Sequence, residues 1–344
     1  MTTRLALTRS QILAFRRRVA GLDARLPPGA ESLRRAAWAG LQDSMPRAGL
    51  LSIHARVDGA VSSTWEDPSL VQVWGPRFSA YVVPAPDRAV FTLGRMPEAA
   101  ARQALAHDIA DQLEAFLDGR RLGYDEAGDG LGVNPNRLRY AAPTGRVLIR
   151  WDGARRPTIW TAPAPDVDPA DARLELARRY VHVFGPTTAG AFAEWAGVGP
   201  GHARTVFDAL AGELVPVTTP IGDAWILGTD ERAVIASESP PATARLLPSG
   251  DTWFLLQGRD RELLVPDAGR RGRLWTSRVW PGAVLVGGEV VGTWRRAQAT
   301  VSIDSWRAVS PGEREAVEAE AASLPLPGIE GAIVVRWDDE VGRG

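Results

Sequence analysis

The residues best suited to chemistry lie in two short segments of the chain. Residues 40–44 read Gly-Leu-Gln-Asp-Ser, and residues 77–81 read Arg-Phe-Ser-Ala-Tyr. A glutamine amide can hold a water molecule for attack on a substrate, and a carboxylate can stabilise positive charge that develops in a transition state. Gln42, Asp43 and Ser44 are therefore polar side chains that could take part in such chemistry.

Asp43 could act beside Gln42 if the local backbone rotates, but neighbouring side chains diverge on a helix or a strand. Asp43 has a second interpretation as a solvated or helix-capping carboxylate. The Ser44 side chain is short, so it would reach a catalytic water only through another bridging water. Tyr81 could donate a hydrogen bond or stack near a substrate, but an aromatic residue in a strand is also a common core residue.

The composition excludes several kinds of chemistry. The chain has 344 residues, 45% of them hydrophobic and 24% charged, which is typical of a folded protein with two or three domains. It has no cysteine, so disulfides, thiolate catalysis and iron–sulfur clusters are excluded. No two of its four histidines have the spacing of metal ligands on a helix, and we expect no metal and no cofactor. All 40 basic residues are arginine, which excludes Schiff-base catalysis through a lysine.

The distribution of charge and hydropathy bears on location and partners. No segment approaches the ~18 consecutive apolar residues of a membrane span, so we expect a cytoplasmic protein without a membrane contact. The net charge of −1 argues weakly against a nucleic-acid partner. However, residues 1–20 contain five arginines and no acidic residue, which permits one basic face. The alternative is that these arginines are ordinary solvated positions.

The clearest local pattern covers residues 187–227. Thr187 or Thr188 can cap a helix that ends at Gly197, and a second helix begins near His202. Residues 214–218 and 224–227 then predict two strands joined by a turn. Two helices followed by a hairpin are typical of a winged helix.

Two weaker copies precede this pattern. One has a helix over residues 98–117, a short helical segment at 136–140 and strands at 147–151 and 158–161. The other has a helix capped by Thr8, a further helix through Leu33, Ala37 and Leu41, and strands at 71–74 and 78–83.

The last part of the chain predicts an α+β unit. It has a hairpin at Gly287-Gly288, a helix over 311–324 and a final strand over 332–337. The predicted fold class is therefore α+β, with tandem winged-helix units (helix-turn-helix plus β-hairpin) and a β-rich C-terminal portion. We place the units at residues 1–96, 97–165, 166–240 and 241–344, with joints at 163–165 and 240–241.

Over nearly its whole length the chain resembles the AlkZ/YcaQ-type winged-helix DNA glycosylases. The similarity rests on motifs that occur in the family's order at residues 7–11, 40–42, 176–180, 184–188, 192–197, 245–248, 263–267, 280–286 and 292–295. The resemblance implies three winged helices around a concave DNA-binding cleft. It also implies release of N-alkylated purines, including cross-linked ones, by cleavage of the glycosidic bond.

The resemblance also assigns roles to the two segments, and it makes Gln42, Asp43 and Ser44 the candidate catalytic residues. The family has a glutamine, any residue, and then a glutamine or aspartate; Gln42 matches the first position, whereas Ser44 replaces the second. In the second segment, Phe78 and Tyr81 stand where the family commonly has glycine and histidine. Three hypotheses follow: a monofunctional glycosylase with an altered site, a non-catalytic DNA-binding protein that retains the cleft, and a scaffold whose winged helices bind protein.

The expected partner is duplex DNA, alkylated or cross-linked, bound by a monomer. The second helix of the pattern at 187–227 is the candidate recognition helix, although such helices also serve internal packing. Arginines near residue 270 form a predicted basic loop that could hold phosphate. The candidate DNA-binding residues are Arg77, Tyr81, His202, Arg204, Arg270 and Arg271.

Overall fold

The structure is a computed structural model that describes residues 4–153, 156–236, 243–329 and 331–338. These residues form a mixed fold of helices and three β-sheets. The predicted joint at 240–241 lies outside the described residues. The four predicted units and their arrangement as tandem winged helices stay predictions.

The first part of the chain contains four helices and four strands. Thr8 caps the first helix, because its hydroxyl accepts from Gln11 N–H while the Gln11 side chain accepts from Thr8 N–H. In order, the elements are β1 (Leu5–Ala6), α1 (Arg9–Val19), α2 (Ala30–Ala36), β2 (Leu41–Gln42), α3 (Ala48–His54), β3 (Leu70–Trp74), β4 (Ala80–Pro84) and α4 (Arg88–Thr92).

One prediction in this part is wrong. The second helix was expected to extend through Leu41, but α2 ends at Ala36 and Leu41 lies in β2. Gly40 has a φ of +74°, a left-handed conformation that a helix cannot continue through and that glycine adopts without strain. The candidate catalytic residues therefore begin on a strand.

The middle of the chain follows the predictions more closely. Its elements are α5 (Ala100–Leu117), β5 (Leu122–Gly123), α6 (Tyr124–Gly130), a 3₁₀ helix (Pro135–Thr144), β6 (Val147–Arg150), β7 (Thr158–Thr161), α7 (Pro169–Phe184), α8 (Ala189–Ala196), α9 (Pro200–Ala209), β8 (Leu214–Thr219), β9 (Gly222–Leu227) and α10 (Glu231–Ile235). Thr188 caps α8, and Gly197 ends it with a φ of +72°. The predicted pair of helices and the hairpin after it are confirmed.

The last part of the chain is rich in strands, as predicted. The Gly287-Gly288 hairpin is confirmed, and it joins two antiparallel strands. The elements are β10 (Ala244–Leu247), α11 (Asp260–Leu264), α12 (Ala268–Leu274), β11 (Gly282–Val286), β12 (Glu289–Ala297), β13 (Thr300–Ser305), α13 (Pro311–Ala322) and β14 (Val334–Asp338).

The three sheets connect segments that are far apart in sequence. The six-stranded sheet has the order β2-β4-β3-β6-β7-β5, so it contains strands from both of the first two predicted units. A three-stranded sheet pairs β1 with β8 and β9, and a five-stranded sheet runs β10-β11-β12-β13-β14. The largest core cluster includes stacked aromatic rings of α7 and α8, with the Tyr180 and Phe184 centroids 4.8 Å apart.

Candidate active site

Gln42 and Ser44 form a polar pair at the end of β2. Gln42 lies opposite Tyr81 of β4, and its Nε2 donates to Ser44 Oγ at 3.2 Å. The Gln42 Oε1 is buried and has no hydrogen-bond partner among the described residues. Reversing the amide would pair Oε1 with the Ser44 hydroxyl and leave Nε2 alone. In either orientation one buried amide atom has no hydrogen-bond partner among the described residues.

Asp43 points away from this pair and into the protein interior, where it is 3% exposed. Its Oδ1 accepts from Gly49 N–H at 2.8 Å, and its Oδ2 accepts from Gln72 Nε2 at 2.5 Å. Gly49 lies in the first turn of α3. Asp43 therefore makes a helix-capping contact, in agreement with its alternative prediction as a capping carboxylate. Burial raises the pKa of Asp43 to about 6, although both hydrogen bonds and the Arg47 charge act to lower it.

A turn from the C-terminal part of the chain covers Gln42. A Cβ atom added to Gly250 would lie 3.4 Å from Gln42 Cδ, which is an ordinary van der Waals distance, so the turn lies next to the amide. The next residue, Asp251, accepts from both terminal nitrogens of Arg56 at 2.7 and 2.8 Å. These two side chains are 1% exposed or less. This buried ion pair holds the Gly250 turn against Gln42.

Tyr81 is part of the core. It is 1% exposed, and its ring packs against the backbone at Gly40 and Gly75. Burial raises the pKa of its hydroxyl. Of the two predicted roles of Tyr81, the structure therefore agrees with that of a core residue. The buried ring has no exposed surface that a DNA duplex could contact. Arg77, four residues earlier, is exposed and contacts Gly197 at the end of α8.

The two candidates on α9 have different surroundings. His202 is buried, and its Nδ1 lies 2.8 Å from Glu98 Oε1, which joins α9 to the segment before α5. Burial lowers the pKa of His202, which favours the neutral ring. Arg204 is exposed. Of the two, only Arg204 has a side chain that a duplex could reach.

Arg270 and Arg271 lie on α12, so the predicted basic loop is a helix. Asp267 caps this helix by accepting from Arg270 N–H. The Arg270 guanidinium donates to the Trp306 carbonyl, and that of Arg271 donates to the carbonyls of Val265 and Pro266. Both side chains thus already bind the protein backbone, which competes with binding to phosphate.

A basic cluster near the candidate site was not among the residues predicted from the sequence. The guanidinium carbons of Arg47 and Arg150 lie 5.3 and 4.3 Å from the centroid of the same ring, that of Trp65. Arg47 follows Gln42 by five positions, which is the only signal in the sequence. Arg150 lies in β6, and only the six-stranded sheet brings it to Trp65.

Two other kinds of feature are absent from the described residues. No three acidic or histidine side chains among them converge as metal ligands. The helices within the described ranges include none long and apolar enough to cross a membrane.

Comparisons with known proteins place the chain in a family. The family model described as DNA glycosylase AlkZ-like matches residues 35–325. The chain belongs to the AlkZ-like DNA glycosylase family. A solved structure, Streptomyces sahachiroi DNA glycosylase AlkZ, superposes with a TM-score of 0.77 at 18% identity, covering 97% of this chain and 100% of that one. At this identity the superposition shows a shared fold. No curated protein sequence matches the chain.

Membership confirms the resemblance, and the AlkZ-like family indicates a DNA glycosylase type of function on a DNA substrate. The matched AlkZ-like region includes both segments identified above, residues 40–44 and 77–81. The roles of the individual residues are a separate question, since they depend on the local geometry.

Proposed function

We propose that this protein is a monofunctional glycosylase that releases N-alkylated purines from duplex DNA, with Gln42 as the residue that orients the attacking water. The observation that carries the proposal is the half-satisfied amide of Gln42. Ser44 takes one end of the amide, and the other end is buried without a partner among the described residues. A buried amide atom without a hydrogen bond is costly unless a ligand supplies one.

The chemistry demands little of the protein. A purine alkylated at N7 or N3 carries a positive charge and leaves readily, so an oriented water and stabilisation of the sugar cation are sufficient. Because the chain has no lysine, water and not a side-chain amine is the nucleophile, and an intact abasic site is the product. In this proposal Ser44 orients Gln42, and Asp43 supports the loop between β2 and α3.

The proposal includes a DNA-binding cleft formed by tandem winged helices of a cytoplasmic monomer. The helix pair α8 and α9 with the β8–β9 hairpin supports one such unit. Exposed Arg77 and Arg204 are the predicted contacts with the best access, and Arg47 adds positive charge next to the Gln42 loop. Arginines at these places would neutralise backbone phosphates. Arg150, which also lies over the Trp65 ring, is paired with Glu66 at 3.7 Å.

A second candidate function is DNA binding without base release. It is favoured by the Gly250 turn, which lies against Gln42 and leaves its Oε1 inaccessible in this conformation. In addition, Ser44 is too short to provide a second direct water contact beside Gln42. A protein of this type would bind duplex DNA through the same surface but leave the glycosidic bond intact.

One experiment separates the two functions. The purified protein is incubated with a duplex that contains N7-methylguanine, and base release is measured together with the affinity for undamaged duplex. The glycosylase proposal expects release by the parent protein and loss of release in Gln42→Ala, about 100-fold or more, with duplex affinity unchanged. Tight binding with no release by the parent would instead establish the non-catalytic function.

A further inference from the structure

A strained turn lies beside the candidate active site. Arg77 and Phe78 both have left-handed backbone conformations, with φ of 53° and 56°. Non-glycine residues rarely adopt this region because it is strained for them, and two in succession persist only when the surroundings hold them. The turn joins β3 to β4, the strand that pairs with β2.

A buried arginine holds this turn in place. Arg95 donates to the carbonyl of Gly75 at the start of the turn, and its Nε donates to the carbonyl of Ala196 at 3.0 Å. Its guanidinium also lies 5.0 Å from the centroid of the Phe78 ring. On the other side, Gly197 leaves room for Arg77, because a Cβ there would come within 3.0 Å of Arg77 Cγ. The turn is therefore clamped between β3 and the end of α8.

The clamped turn supports an exposed aromatic residue. The Phe78 ring meets the Tyr140 ring edge-on, with centroids 5.5 Å apart and planes at 90°. Tyr140 lies in the 3₁₀ helix Pro135–Thr144 and is 49% exposed. A single exposed tyrosine is ordinary. Here, however, the ring packs against Phe78 of a strained turn, and buried Arg95 holds that turn in place.

Strand pairing locates this aromatic pair relative to Gln42. Gln42 lies opposite Tyr81, and Asp43 N–H donates to the Ala80 carbonyl at 2.8 Å, so β2 runs toward the turn. Phe78 precedes Tyr81 by three residues, in the turn between β3 and β4, so the Phe78–Tyr140 pair lies at the same end of the β2–β4 strand pair as Gln42.

We propose that Tyr140, supported by Phe78, stacks on a nucleobase next to the nucleotide that is extruded toward Gln42. An aromatic ring can replace the stacking that a neighbouring base loses when its partner leaves the helix. The inference rests on the proposed DNA function. It states that the exposed ring of Tyr140 binds the π face of a nucleobase. Arg77, exposed beside Phe78, places positive charge on the same turn for the adjacent backbone.

The test compares two probes: a duplex with a tetrahydrofuran abasic analogue and the same duplex fully paired. Tyr140→Ala should weaken binding to the abasic duplex about tenfold or more, and change binding to the paired duplex less than about twofold. Tyr140→Phe retains the ring and should bind the abasic duplex like the parent. In parallel, 2-aminopurine beside the abasic position should fluoresce more with Tyr140→Ala than with Tyr140→Phe.

The outcomes separate this inference from the proposed function. If the parent binds the abasic duplex and Tyr140→Ala binds it equally well, Tyr140 does not stack on a base and the inference is wrong. Equal weakening by Tyr140→Phe would assign the effect to the hydroxyl, which also overturns it. If the parent binds neither duplex, the DNA function itself fails and the inference fails with it.

Discussion

Two buried polar groups flank α3, and they differ in how completely they are satisfied. After the helix, Arg56 and Asp251 form a bidentate pair, and Asp251 also accepts from Ser52 Oγ and Trp253 N–H. Before the helix, the Gln42 amide hydrogen-bonds only to Ser44 among the described residues. A fully bonded buried network stabilises a fold, whereas a partly bonded one indicates a place where a ligand completes it. Asp43, with two strong hydrogen bonds, belongs with the structural group.

The largest expected effect comes from breaking the satisfied pair. Arg56→Ala should lower the free energy of unfolding by about 3–5 kcal/mol, because Asp251 would be left buried and unpaired. Denaturant unfolding measures the change. The matched control is Arg307→Ala, which removes the surface pair with Glu313 (Nη2–Oε1 2.6 Å) and should cost less than about 1 kcal/mol. Equal effects of the two variants would contradict the structural role of Arg56.

Asp43 predicts a pH dependence of stability. Its folded-state pKa of about 6 lies above the ordinary value of 3.8, so the protonated carboxyl favours the folded state. This contribution is fully present below pH 3.8 and is lost as the pH rises through about 6, with a total on the order of 3 kcal/mol. Asn at position 43 does not titrate.

The free energy of unfolding of the parent, relative to Asp43→Asn, should therefore decline between pH 4 and pH 7. Denaturant unfolding at a series of pH values measures this difference. The variant places an amide near Gln72 Nε2, which shifts its stability at every pH without changing the slope. A constant difference over the whole range would show that Asp43 titrates as it does in the unfolded chain.

A smaller change, in the rate of base release, is expected from replacing Ser44 by a residue that can also hold the water. Ser44→Gln gives the water a second amide contact from the same face as Gln42. The rate of alkylpurine release should rise on the order of tenfold, which corresponds to ~1.4 kcal/mol of barrier. Single-turnover base release measures it, and Ser44→Ala is the control that removes the hydroxyl without adding an amide. No gain with Ser44→Gln would argue that Gln42 works alone or that the site is inactive.

The smallest expected effect concerns the arginines near Trp65. If Arg47 contacts a phosphate, Arg47→Gln should reduce the slope of log affinity against log salt by about 0.9 for duplex DNA. Arg34→Ala on α2 is the control, since Arg34 already pairs with Glu31 at 3.3 Å. Salt titrations of the two variants and the parent measure this slope. An unchanged slope for Arg47→Gln would place the phosphate contacts elsewhere.

Local sequence signals were sufficient for much of the fold. The α8–α9 pair and its hairpin follow from a threonine cap, a left-handed glycine and apolar spacing, all within about forty residues. The Gly287-Gly288 hairpin and helix α13 were predictable for the same reason. Such elements depend on the conformational preferences of a few neighbouring residues, and these preferences follow directly from the residue types in the sequence.

The candidate site was predictable only as a set of residues. Gln42 was identified as a polar residue in a family motif, but β2 has two residues, too few to show a strand period. The helix prediction through Leu41 failed there, and the orientation of Asp43 away from Gln42 could not be read from adjacent positions. The basic loop at Arg270 likewise proved to be a helix.

By itself, the sequence determined the family, the absence of lysine and cysteine chemistry, and most helices and hairpins. Only the tertiary structure decided that the Gly250 turn covers Gln42, that Arg56 anchors this turn, and that Phe78 supports Tyr140. The reason is physical: these contacts join residues from about 60 to 200 positions apart, and burial and hydrogen-bond satisfaction arise only when distant segments pack together.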